Sequence, residues 1–280
     1  MYLENGEKAK NPITIKNLFT MTAGFTYNLT SPEIQKVHTS KGNNATTMDF
    51  VHAIAKEPIS FEPGTHWQYS LCHDVLAGFA EVVSGKRFAD FVRERIFEPI
   101  GMTRSDYHVN ETNEKTLAAL YQFNDETKTA DRIPAECSYT FTPQYDSGGA
   151  GIVSCIDDYI LFADAMANKG MAKNGNRILS EKTVDLMRTN ALEGQALSDM
   201  NWTQHDGYGY GLGVRTLMDC AKGGAIGQTG EFGWGGAAGA YALFDPENRV
   251  AMYYAQHMLN NLEPYTHPRL RNVLYACLGK

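Results

Sequence analysis

Residues 61–71 read Phe61-Glu62-Pro63-Gly64-Thr65-His66-Trp67-Gln68-Tyr69-Ser70-Leu71. Pro63-Gly64 is turn chemistry, because proline fixes φ and glycine tolerates the left-handed conformation. Immediately downstream, Leu71 to Val83 places Val75, Leu76, Phe79, Val82 and Val83 at helical spacing, and Ser84-Gly85 stops the run. The stretch is therefore a turn-rich loop that delivers Tyr69 to the start of a helix. On position alone, a tyrosine there is a core or capping residue.

Upstream and downstream of this helix the first two thirds of the chain read helical. Thr47 to Lys56 carries Met48, Val51 and Ile54 in helical rhythm, and Phe88 to Ile96 is a helix closed by Pro99 and Gly101. Ser154-x-x-Asp157 resembles a capping box opening a helix to about Asn168, and Ser180 caps another to about Thr189. The last third changes period. Tyr208–Leu217, Ala225–Thr229, Ala237–Phe244 and Val250–His257 read as strands, with Asp245-Pro246-Glu247-Asn248 as the tight turn of an antiparallel hairpin. His267 to Leu278 closes the chain as a helix, with Leu270, Val273, Leu274 and Cys277 on one face. The fold class is α+β: an antiparallel sheet flanked by helices plus a mainly helical subdomain. One domain spans 1–280, with the helical part at about 20–145 and the α/β part at about 146–280.

Composition narrows the function. The 280 residues are 43% apolar and 20% charged, ordinary for a globular chain. A net charge of −7 argues against nucleic acid, which needs a basic face. No apolar run reaches the roughly 18 residues of a membrane span, and Met1–Asn11 lacks the apolar core of a signal peptide. Cys72, Cys137, Cys155, Cys220 and Cys277 form no CxxC and read as reduced thiols in or near the core. That favours the cytoplasm, with a periplasmic or secreted location left open by whatever precedes Met1. No HExxH or paired-histidine spacing supports a metal, and no motif calls for a cofactor. The alternating glycines of Gly207–Gly213 lead into no helix, and no G-x-S-x-G elbow is present.

The run Phe61–Gly85 resembles the stretch around the second catalytic motif of the serine β-lactamase-like and penicillin-binding-protein superfamily. Four further segments match in order. Asn11–Gly24 is similar to the superfamily's "ITIxxLLTHTSG" segment, and Ile96-Phe97-Glu98-Pro99-Ile100-Gly101-Met102 to its "IFxPLGM". Ser147–Ser154 resembles its glycine-rich turn, and Gly227-Gln228-Thr229-Gly230 through Trp234-Gly235-Gly236 its third motif.

The resemblance implies acyl transfer through a serine nucleophile with a lysine three residues later, a tyrosine that relays protons, and an oxyanion hole of two backbone N–H groups. Carried over, Tyr69 is the acid/base residue. Gln228, Thr229 and Gly230 form the strand lining the site, and the Glu231 N–H is an oxyanion donor. Leu71, Phe232, Trp234 and Gly235 are the expected substrate contacts, although an aromatic at 234 serves equally for packing.

Three departures matter. No serine in the chain is followed by lysine three residues later. The nucleophile is expected upstream of Asn11, which makes this chain N-terminally truncated, without the N-terminal strands and nucleophile helix. Such a fragment is expected to show altered packing at an exposed sheet edge or a homo-oligomer covering it. Leu71 replaces the second motif's usual asparagine, and Gln228 the third motif's lysine, removing the cation that would hold a substrate carboxylate. Together with Trp234-Gly235-Gly236, these favour a neutral small-molecule ester, as in family VIII carboxylesterases. A β-lactam or D-alanyl-D-alanine substrate is the alternative. A β-lactamase-like module without catalysis is the third reading.

Overall fold

Turn chemistry in the last third folds five strands into one antiparallel meander. In a computed structural model that describes residues 1–134 and 141–279, β3 (Tyr208–Tyr210), β4 (Arg215–Leu217), β5 (Phe232–Gly235), β6 (Tyr241–Asp245) and β7 (Val250–Tyr254) lie side by side in chain order. The β6–β7 hairpin turns on Asp245, whose Oδ1 accepts the N–H groups of Glu247 and Asn248 at 3.0 Å each. β7 is an edge of this sheet. A second sheet joins β1 (Leu120–Asn124), β2 (Thr129–Ile133) and β8 (Met258–Leu259) in the order β2-β1-β8.

The helices are α1 (Ile15–Phe19), α2 (Pro32–Lys41), α3 (Thr47–Ile54), α4 (Cys72–Ser84) and α5 (Phe88–Val92), which runs through a π turn at Arg93–Phe97 into α6 (Glu98–Ile100). They are followed by α7 (Ile156–Ala167), α8 (Glu181–Met187), α9 (Gly194–Asp199) and α10 (Glu263–Ala276). α7 packs across β6 and β7, where Ala163, Met166 and Ala167 meet Phe232, Ala242 and Phe244. The largest core cluster runs from Leu18 and Phe50 through Trp67 and Cys72 to Tyr208 and Leu217, so helical part and sheet share one core. Among the described residues no helix is long and apolar enough to cross a membrane.

Several local expectations are revised. Tyr208–Leu217 is two strands, not one, because the chain turns through Gly211 and Gly213. Ala225–Thr229 is not a strand: Gly227 lies so close to the Tyr275 ring that a Cβ would stand 2.5 Å from it, and Gly230 turns with φ +85°. Ser180 caps α8 through the Thr183 N–H, whereas Ser154 caps nothing and bonds the Ser105 hydroxyl. The β1–β2 hairpin falls where a mainly helical stretch is expected. Cys137 lies outside the described residues. The other four cysteines are free thiols; Cys72 is buried but Cys277 is exposed.

α4 and α10 bury faces other than their apolar stripes. Phe79, Val82 and Val83 are exposed, while Asp74, Ala77 and Gly78 are buried. The reason is Asp74, whose Oδ1 accepts the hydroxyls of Tyr145 and Ser147 and so ties α4 to the glycine-rich turn. On α10, His267, Arg271 and Tyr275 are buried and Val273 is exposed. A buried polar group fixes a helix's rotation when leaving it unpaired would cost more than exposing a valine.

The glycine-rich turn is held tightly against α4. A Cβ on Gly148 would stand 1.8 Å from the His73 carbonyl oxygen, whereas one on Gly149 would come no closer than 3.3 Å, to the Asp74 carboxylate. Gly148→Ala is therefore expected to destabilise by about 1–3 kcal/mol, toward the upper end because the obstacle is backbone. Gly149→Ala is expected to cost clearly less. Equal urea midpoints for the two variants would disprove this packing.

Candidate active site

The loop that carries Tyr69 is fixed at several points. Gly64 takes φ +91° and donates its N–H to Thr22 O at 2.8 Å. Gln68 N–H reaches Met21 O at 3.0 Å, and Leu71 N–H reaches Thr26 O at 3.3 Å. On the other side Asp199 of α9 accepts the Trp67 N–H at 3.1 Å and bonds His66 Nδ1 at 2.9 Å. Tyr69 thus leaves a pinned loop one turn before α4.

Its ring sits between two others. Tyr27 stacks on it at a centroid distance of 5.4 Å and 13°, and Trp234 of β5 stacks at 5.6 Å and 15°. Trp202 approaches edge-on at 5.6 Å. Offset stacks of this kind hold a ring plane in place. Of the residues expected at the site, the structure brings together Tyr69, Trp234 and, beside Trp234, Gly235.

The other expected site residues lie elsewhere. Gln228 and Thr229 are exposed in the turn before β5, and Gly230 O accepts Arg188 Nη1 at 3.1 Å. The Glu231 N–H is already donated to Gln228 O at 3.1 Å, so it offers no free oxyanion donor. Phe232 is buried against α7, and Leu71 is buried at the foot of α4; both are core residues. The separation follows from strand geometry. Strand residues advance about 3.3 Å each, so four positions separate Gly230 from Trp234 by roughly 13 Å. The segment that meets Tyr69 is Trp234-Gly235, at the far end of β5.

Beneath β5 lies a buried charge network. Arg215 of β4 and Glu231 are both essentially inaccessible and paired at 3.4 Å. Glu231 also accepts the Tyr208 hydroxyl at 3.1 Å, and that oxygen accepts Arg271 Nη1 at 2.9 Å. Burial pushes the Glu231 carboxyl above its ordinary range, opposed by the charges of Arg215 and Arg271. Arg215, Trp202 and Tyr27 belong to no motif in the sequence. An arginine inside the apolar Val214–Leu217 run is a visible signal for the first; neither aromatic has one.

Neither of the sequence neighbours Ser70 and Cys72 is poised as a nucleophile. The Ser70 hydroxyl is buried and donates to Cys72 Sγ at 3.1 Å, with Met21 Sδ at 3.7 Å, so it has no base. Burial pushes the Cys72 thiol up to about 11, which keeps it protonated at neutral pH.

Fold and site together define an α+β, transpeptidase-like protein with an aromatic site built around one tyrosine. The chain belongs to the Beta-lactamase family, whose model matches residues 1–276. An uncharacterised protein of Mycobacterium tuberculosis is 27% identical over 266 residues, 91% of this chain and 65% of its own length. Esterase EstB of Burkholderia gladioli is 28% identical over 248 residues, 81% of this chain and 60% of its own. The chain thus spans less than two thirds of these curated relatives. Among solved structures, EstCE1, a hydrolase with promiscuous acyltransferase activity, aligns with TM-score 0.76 and 22% identity over 98% of this chain and 74% of that one. A mutant simvastatin synthase (LovD) of Aspergillus terreus aligns with TM-score 0.78 and 18% identity over 99% and 70%. At these identities the structures establish the fold.

Proposed function

We propose that this chain is the larger part of a serine hydrolase that transfers acyl groups from small neutral esters, with Tyr69 as its acid/base residue. The observation that carries the reading is the stack of Tyr69 on Trp234 of β5. It sets the hydroxyl of a loop residue beside the strand that the sequence resemblance assigns to substrate. Tyr69 would accept the proton of a serine hydroxyl as it attacks the ester carbonyl, then return it to the departing alcohol. The serine comes from residues outside the 280, since no serine here has lysine three positions later.

The preference for esters rests on two points. Gln228, exposed in the turn before β5, stands where the resemblance expects the cation that would hold a substrate carboxylate. EstB, by name an esterase, is a relative over most of the chain. Fluorophosphonate labelling tests the reading. We expect label on a version extended upstream and none on the 280-residue chain. Absence of label on both would overturn the enzyme and favour a binding module. Short p-nitrophenyl esters are expected to turn over faster than nitrocefin, and the reverse order would overturn the substrate class.

A further inference from the structure

Trp234 and Trp202 line a small, partly open cavity of about 30 Å³. Arg215, His205, Trp202, Trp234, Gln204 and Glu263 contribute to its walls. Arg215 is 1% exposed, and its guanidinium lies 4.5 Å from the Tyr241 ring centroid. Its Nη2 is used by Glu231 Oε1 at 3.4 Å and Ala242 O at 3.2 Å, but its Nη1 has no hydrogen-bond partner among the described residues. His205, 8% exposed, likewise has an unpartnered Nδ1. Two buried unpaired nitrogens on one small cavity, one of them cationic, form a motif that an anion completes, because buried donors are otherwise almost always paired.

We propose that this cavity binds a single halide ion, chloride under ordinary conditions, held by Arg215 Nη1 and His205. The site does not depend on acyl transfer by Tyr69. Its volume suits about two waters, hence one halide. Two guanidiniums, Arg215 and Arg271, stand beside Glu231, whose carboxyl also feels Asp245, so the cation nearest the cavity is Arg215 with its unpaired Nη1. His205 is neutral at pH 7, pushed down to about 3 by burial and by the Arg215 charge, and so can present an N–H without adding charge. His267, also held low by burial, spends its Nε2 on Gly239 O at 3.1 Å. The adverse wall group is Glu263, whose carboxyl burial raises and which accepts Gln204 Nε2 at 2.9 Å.

All three tryptophans stand in this aromatic cluster, and two line the cavity, so intrinsic fluorescence reports on it. In the 280-residue chain at constant ionic strength, bromide is expected to quench part of the emission saturably. Chloride should raise Tm with the same midpoint, and sulfate should do neither. Glu263→Gln, which removes the opposing charge, is expected to lower the halide midpoint several-fold. The charge-neutral double variant Arg215→Met with Glu231→Leu is expected to abolish the saturable response while leaving the fold. Purely linear quenching that is equal in the double variant, with equal Tm changes in chloride and sulfate, would overturn the site and leave a water-filled cavity.

Discussion

Glu231→Ala is expected to lower unfolding free energy by about 3–5 kcal/mol, the largest stability loss foreseen for one side chain here. Glu231 is inaccessible and is the charged partner of Arg215, which is itself inaccessible. Truncating it leaves a guanidinium buried beneath β5 with no counter-ion, held only by the Ala242 carbonyl and the faces of Tyr208 and Tyr241, and strips the Tyr208 hydroxyl of its acceptor. The cost is that of stranding a charge, not the worth of the pair. Replacing both residues together, as Arg215→Met with Glu231→Leu, should therefore recover most of the loss. Guanidinium melts of the single and double variants check this. A single variant within about 1 kcal/mol of the wild type would mean that the pair is solvated and the core beneath β5 is open.

Tyr69→Phe is expected to reduce ester turnover by about 10²–10⁴-fold, the range general acid–base catalysis supplies. The measurement belongs on whichever form takes the fluorophosphonate label. Phenylalanine preserves the stacks on Tyr27 and Trp234, so Tm should hold, and the loss should fall on kcat more than on KM. A variant that keeps turnover within a few-fold would remove Tyr69 from the chemistry and leave it an aromatic core residue. Trp234→Ala gives the opposite pattern, since it removes one face of the stack and a wall of the cavity.

Much of the architecture was legible because it rests on local chemistry. Pro63-Gly64 makes the loop that carries Tyr69, Ser180 caps α8, and Asp245 turns the β6–β7 hairpin through its own side chain. Helices ahead of an antiparallel sheet follow from a change of period. The β1–β2 hairpin is not legible in the sequence, although Asn124–Lys128 is a polar turn between two short strands, because its outer strand is exposed and carries no apolar alternation.

The sequence by itself determined the α+β class, the membership signalled by five ordered segments, and the position of Tyr69 at the head of α4. Only the tertiary structure decided which face each helix buries and which part of β5 meets Tyr69. Periodicity finds an apolar stripe, yet α4 turns Asp74 inward and leaves Val82 and Val83 in solvent. Burying an acceptor with two hydroxyl donors, Tyr145 and Ser147, waiting for it outweighs covering two valines. Likewise the motif match spread the expected site over Gln228–Gly235, and strand register is what carries Trp234 to the tyrosine and leaves Glu231 beneath the sheet as the counter-ion of Arg215. Side-chain partners far apart in the chain made those choices, and no local pattern encodes a partner's position.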